Sequence, residues 1–214
     1  MANFNGLRDI TDAQNVSSKL QSNPDVKNAI REEQRQITRQ REIEARIRRL
    51  LAASQRVTLK DDSENAADNS RPVDNSSGEA APETQLNGLF SDLRKQSAKP
   101  DDGGDRRIAR RVLEGTRINL FEQGKSELQK KHFDAAVRLF LLATEVNPDR
   151  PGTFFYLASA LAAKGDKKKS LRALRNAVDR GFSDADAIIE NSLFDSIRDE
   201  VEYREIIETL KLKQ

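Results

Sequence analysis

Cysteine and tryptophan are absent from the 214 residues, methionine and histidine occur once each, and tyrosine only twice. Without cysteine there is no disulfide framework, no thiolate metal site and no thiol nucleophile, which fits a reducing cytoplasm. The single histidine, His132, has no second imidazole or thiolate to converge with, so the residue types for a zinc or copper centre are missing. Nowhere do about eighteen apolar residues follow one another. The N-terminal stretch Met1 to Asp9 also lacks the basic-then-apolar pattern of a cleaved signal. A cytoplasmic location is therefore expected, with no cofactor and no metal. Gly103-Gly104 is not followed by Lys-Ser or Lys-Thr, which excludes a phosphate loop.

Charge of one sign is missing as well: 37 basic and 35 acidic residues leave a net charge of +2. Such a balance gives no overall field for nucleic acid, membrane or an acidic substrate, so any bias is local. At 36% hydrophobic, 34% charged and 5% aromatic, the composition is too polar for a packed core along the whole length.

Leu7, Ile10, Ala13, Val16 and Leu20 recur at steps of three or four, which predicts a short helix ending near Ser22. Asn23 suits a helix cap, Pro24 its first position, and Asp25 the positive end of the dipole. A helix is expected from Pro24 to about Ala53. Its apolar residues Val26, Ile30, Ile37, Ile43, Ile47, Leu50 and Leu51 form a stripe too narrow for a lone helix to bury. A second copy or the C-terminal half must cover it, so residues 1–53 read as an N-terminal arm with self-association through residues 24–52 as one outcome. From residue 54 to 104 the composition turns to Asp, Asn, Ser, Gly and Pro, and a disordered linker is expected. Ordering its backbone costs about 1 to 2 kcal/mol per residue with little apolar area to offset it. Leu86, Leu89, Phe90 and Leu93 interrupt the linker at helical spacing and predict a short helix near 84–96 that docks on something larger. Lys99-Pro100-Asp101-Asp102-Gly103-Gly104 then breaks the chain, and Asp105 is positioned to cap the next helix.

Residues 105–214 match themselves at a shift of 34: Leu120 falls on Phe154, Gly124 on Ala158, Phe140 on Leu174 and Ala143 on Ala177. That period points to stacked helix-turn-helix units. Gly124, Phe133, Asp134, Ala136, Phe140, Ala143 and Pro148 make one set, and Phe154, Leu157, Ala158, Leu161, Gly165, Asp166, Leu174 and Ala177 the next. In this half the chain resembles the tetratricopeptide repeat family. The small residues Gly124, Ala136, Ala158 and Ser170 would sit where paired helices come closest. Phe133, Phe140, Phe154 and Leu174 would fill the spaces between them, at about 25 cal/mol per Å² buried. Pro148 cannot continue a helix. Gln123, Glu127 and Lys167 depart from the pattern, and Gly181-Phe182 replaces its closing proline. The first helix is therefore expected to be a long one from Asp105 using Ile108, Val112, Ile118 and Leu128. Residues 184–210 are similar to the degenerate helix pair that closes many bacterial members. They should hide the last apolar face with Ile188, Ile189, Leu193, Phe194, Ile197, Tyr203, Ile206, Ile207 and Leu210.

The fold class expected is all-α, a short right-handed helical solenoid preceded by an arm and a linker. The resemblance implies a groove on its inner surface that holds another protein or peptide, lined by Phe121, Lys125 and Leu128 and then by Phe155, Ser159 and Ala162. Phe154 and Phe155 are adjacent and cannot both enter one core. Phe155 thus packs within the chain or meets a partner. A third reading, which the sequence leaves open, has residues 86–93 folding back into this groove. No nucleophile, base and orienting group cluster, so an enzyme is not expected. His132 reads as a solvated turn residue. The rival reading lies in the arginine rows of residues 24–52 and 105–111, which would bind nucleic acid or an anionic membrane with steep salt dependence. The balancing acidic residues Glu32, Glu33, Glu42 and Glu44 count against it.

Overall fold

A computed structural model of the chain describes residues 18–19, 21–64, 81–100 and 103–212, the side chains of 55–64 excepted. The elements are α1 (Pro24–Glu64), α2 (Pro82–Ser97), α3 (Gly104–Gln129), α4 (Phe133–Val146), α5 (Pro151–Lys164), α6 (Lys167–Asp179), α7 (Ala185–Ile189), a 3-10 turn η1 (Ser192–Ile197) and α8 (Val201–Lys211). Among the described residues there is no strand, and the protein is all-helical. The short helix expected between Leu7 and Ser22 lies mostly outside the described residues, as does the linker over residues 65–80.

The helix starts follow from local chemistry. Asn23 Oδ1 accepts the Asp25 amide at 2.9 Å ahead of α1. Asp166 and Asp184 likewise cap α6 and α7 by accepting from the Lys169 and Ala187 amides. Pro82 and Pro151 open α2 and α5, where a missing amide hydrogen costs nothing. α4 stops at Val146, and Asn147 Oδ1 accepts from the Asp149 amide across Pro148. α5 ends at Gly165 in the left-handed region, with φ 91°.

Packing redraws the expected boundaries. α1 does not stop near Ala53 but runs to Glu64. The helix expected near 84–96 is not an island in a linker: Leu86 and Phe90 are fully buried and Leu93 nearly so. They share one core with Ile47 of α1, Ile108, Ala109, Val112 and Leu120 of α3, and Leu139, Ala143 and Val146 of α4. Asp105 is not the cap of α3, because the helix begins at Gly104 after Gly103. It pairs instead with Arg39, tying the start of α3 to the middle of α1. A hydrogen bond of 3.0 Å from Ser54 to Glu83 ties α1 to the start of α2. As expected, α3 is one long helix with Ile108 and Val112 buried, but Ile118 is 47% exposed.

A second core joins α4, α5, α6 and the C-terminal segment. The small residues expected at close crossings are all buried: Gly124 on α3, Ala136 and Ala143 on α4, Ala158 on α5, and Ser170 and Ala177 on α6. Ser170 donates to the Ala158 carbonyl at 2.8 Å, so even the hydroxyl is satisfied at the crossing. Phe140, Phe154, Leu157 and Leu174 fill the interior, whereas Phe133 and Pro148 are only half-buried.

Two substitutions test this packing. A Cβ at Gly124 would lie 2.7 Å from Cε1 of the fully buried Phe140 ring. Overpacking costs about 1 to 3 kcal/mol and outweighs the roughly 1 kcal/mol of helix propensity gained, so Gly124→Ala should lower stability in urea unfolding. Conversely, Lys131 holds φ at 63° in the same turn position, 34 residues earlier, that Gly165 occupies in the next unit. Lys131→Gly should relieve about 0.5 to 1 kcal/mol of backbone strain and raise Tm by a few degrees.

Candidate interaction surface

The inner surface expected to receive a partner is largely occupied by the chain itself. Gly181, at φ 95°, turns the chain sharply after α6. Phe182 then stacks on Phe155 with ring centroids 4.7 Å apart and planes within 7°. Phe194 of η1 meets the other side of Phe155 edge-on at 5.8 Å. Asn191 donates to the Ser159 hydroxyl at 3.0 Å, and Ser196 reaches the Ala162 carbonyl. Phe155, Ser159 and Ala162 are consequently buried, at 8%, 1% and 3% exposure, and cannot line an open groove. The physical reason is that α5 is apolar nearly all round, so it needs cover on every side, and the C-terminal segment supplies it. Residues 86–93, the segment the sequence leaves open as a candidate to close this groove, pack in the other core, and residues 182–197 cover the face instead.

Phe121, Lys125 and Leu128 fare differently. They remain half-buried on α3, with Phe121 edge-on to Tyr156 at 5.0 Å and the Lys125 ammonium 5.7 Å from the Phe121 ring. Phe121 also meets Phe140. Ring contacts therefore run without a break from Phe121 through Phe140, Tyr156, Phe155 and Phe194 to Tyr203. Each such pair adds about 0.5 to 1.5 kcal/mol beyond its area.

The open concavity lies on the opposite side of α3. A trough of about 1180 Å³ is floored by Val112, Thr116, Leu120 and Gln123 of α3 and by Leu139 and Leu142 of α4. Ile47, Arg48 and Leu51 of α1 form one wall, and Leu141, 48% exposed, stands at the lip. From Val112 to Lys130 the α3 side runs about 27 Å at 1.5 Å per residue, which is the length of several helical turns. Gly115 faces the trough, and a Cβ there would touch nothing within 4 Å. The rim mixes signs, with Glu44, Glu83, Glu127 and Glu145 against Arg48, Lys130 and Arg138. Hydrogen bonds from Lys130 and then His132 hold the Glu127 carboxyl below its ordinary range, so it is anionic at neutral pH. His132 itself is exposed, with Nδ1 2.7 Å from Glu127, and serves the turn before α4.

Residue spacing alone does not place this trough, although one signal for it is present in the sequence. Leu139, Phe140, Leu141 and Leu142 are consecutive, and four adjacent apolar residues on a helix spread over more than one face. Phe140 fills the inner core, Leu139 the outer one, and Leu141 is left pointing to solvent. The arginine rows, by contrast, are partly consumed within the fold. Arg39 pairs with Asp105, Arg35 approaches Glu32 at 3.8 Å, and Arg106 donates to the Ser97 and Pro100 carbonyls. Among the described residues no three His, Asp or Glu side chains gather as metal ligands, and no helix is long and apolar enough to cross a membrane. In comparisons with known proteins, no family model matches the chain, and no curated protein matches it.

If Phe155 belongs to the core, its truncation acts on folding. Phe155→Ala should cost about 3 to 5 kcal/mol in equilibrium unfolding, far above the change expected of a surface ring.

Proposed function

We propose that the chain is a non-enzymatic protein-binding module, a short tetratricopeptide-like solenoid whose trough between α1, α3 and α4 receives an amphipathic helix. The open, apolar-floored trough carries this reading, with Leu141 half exposed at its lip. Its volume exceeds the roughly 300 to 1,000 Å³ of small-molecule sites, and its shape is elongated rather than closed. An apolar stripe at helical spacing would cover Leu51, Leu141 and Leu142 at once, in the manner of helix-in-groove recognition. The solenoid part of the reading rests on two units 34 residues apart with buried small residues at matching places: Gly124 with Ala158, and Ala143 with Ala177. Scaffold or adaptor work suits such a site, since holding a helix needs no reacting group.

The test is photocrosslinking in the native host with a benzophenone side chain at position 141 or at position 159. Adducts to polypeptide are expected from 141 and not from 159, with yields that change little between low and high salt. Gly115→Glu, which places a charge in the trough without touching the fold, should remove the adducts while leaving Tm unchanged or higher. Adducts from 159 alone, or adducts from 141 that survive Gly115→Glu, would defeat the reading. Loss of all adducts at raised salt would return the arginine rows to first place.

A further inference from the structure

The N-terminal part of α1 extends past the body it packs on. Gln36, whose side chain reaches Gly104, and Arg39, paired with Asp105, are its first contacts with α3. Residues 24–35 lie beyond them, about 18 Å of helix with every residue exposed except Val26, which is partly covered. This overhang is not polar all round. Ile30 is 46% exposed within it and Ile37, just past Gln36, is 41% exposed, and with Val26 they flank the side of α1 on which Ile43 and Ile47 pack inward further along. Ile30, Ile37, Glu44 and Leu51 are seven residues apart and so share one side of the helix. The last two belong to the trough wall.

Among the described residues, one helix side therefore carries an unpartnered apolar stripe in its first half and the wall of an unfilled apolar trough in its second. Resting on the reading of the trough as a helix-binding site, we propose that its occupant is the α1 overhang of a second copy of this chain. The exchange is reciprocal, with the two α1 helices antiparallel about a two-fold axis. Because stripe and trough wall face the same way, that one operation seats both overhangs, Ile30 and Ile37 of each copy against Leu51, Leu141 and Leu142 of the other. One copy's Val26, Ile30 and Ile37 alone, the last just past the overhang, fall short of the roughly 800 Å² per partner of a stable interface. Reciprocal exchange doubles the contact and covers the trough floor as well, which argues for a closed pair over a one-way contact. The overhang mixes Lys27, Arg31 and Arg35 with Asp25, Glu32 and Glu33, as the rim mixes its own signs. Charge then neither drives nor opposes the pairing, and salt should matter little.

Sedimentation equilibrium of the full chain tests the exchange. Twice the chain mass of 24.1 kDa is expected, with the monomer mass for Ile30→Glu/Ile37→Glu and for Gly115→Glu, two changes at sites where the fold makes no contact or little. A benzophenone at position 115 of the purified chain should crosslink to residues 24–37 in an adduct of doubled mass. A wild-type chain that stays monomeric at about 100 μM, or a dimer that survives either variant, overturns the proposal. A monomeric chain whose position 141 still yields adducts with a different protein overturns the exchange and leaves the helix-binding reading standing. The absence of adducts from any partner ends both.

Discussion

The Phe140 ring rests against the backbone of α3 at Gly124, so closely that no Cβ fits between them, and α4 is held in place by that contact. Because α4 faces two cores, its seat fixes both. Phe140 and Ala136 turn toward α5 and α6, while Leu139, Ala143 and Val146 turn toward α1, α2 and α3. Protein interiors are packed too densely for such a helix to shift on one side alone. The width of the trough, set by the separation of α1 from α4 across α3, depends on the same seat. Surface ion pairs add little to this: Lys167 with Glu200 and Arg175 with Glu202 tie α6 to the C-terminal segment, but both are solvent-screened.

The C-terminal segment does more than cover an open end. Phe182, Asn191 and Phe194 lie on Phe155 and Ser159, and Tyr203 donates to the Ile188 carbonyl at 3.2 Å to lock the segment on itself. Burial pushes the Tyr203 hydroxyl pKa up, which keeps it a donor at neutral pH. The face of α5 is thereby buried, and the open trough lies on the other side of α3.

Much of this was legible in the residues. Asn23-Pro24 marks a helix start because its chemistry is local, whereas Asp105 reads as a cap and is not one, and Gly124, Ala136, Ala158 and Ser170 mark buried positions because only small residues allow close approach. The C-terminal apolar set from Ile188 to Leu210 is legible through its similarity to a closing helix pair, and most of it is buried. Three features were not legible. α1 continues to Glu64 through Arg56 to Asp62, a stretch whose polarity resembles that of the linker although its residues are competent helix formers. Leu86, Phe90 and Leu93 announce a helix, but their partner, the outer core of α3 and α4, is a long-range contact that no spacing encodes. Phe155 could be narrowed to two roles, and the choice between them depended on Phe182, which lies beyond the next helix and meets it only because Gly181 turns the chain back.

The proposed function depends on which side of the helical array is closed by the chain and which is open, and a chain without cysteine permits a direct comparison of single thiols. Labelling rates for Ser159→Cys and Leu141→Cys, taken at high dilution, should differ by on the order of a hundredfold or more, because the first thiol reacts only when the C-terminal segment opens. Equal rates at the two positions, or faster labelling at 159, would mean that the α5 face is open and would contradict the burial on which the proposed trough site rests.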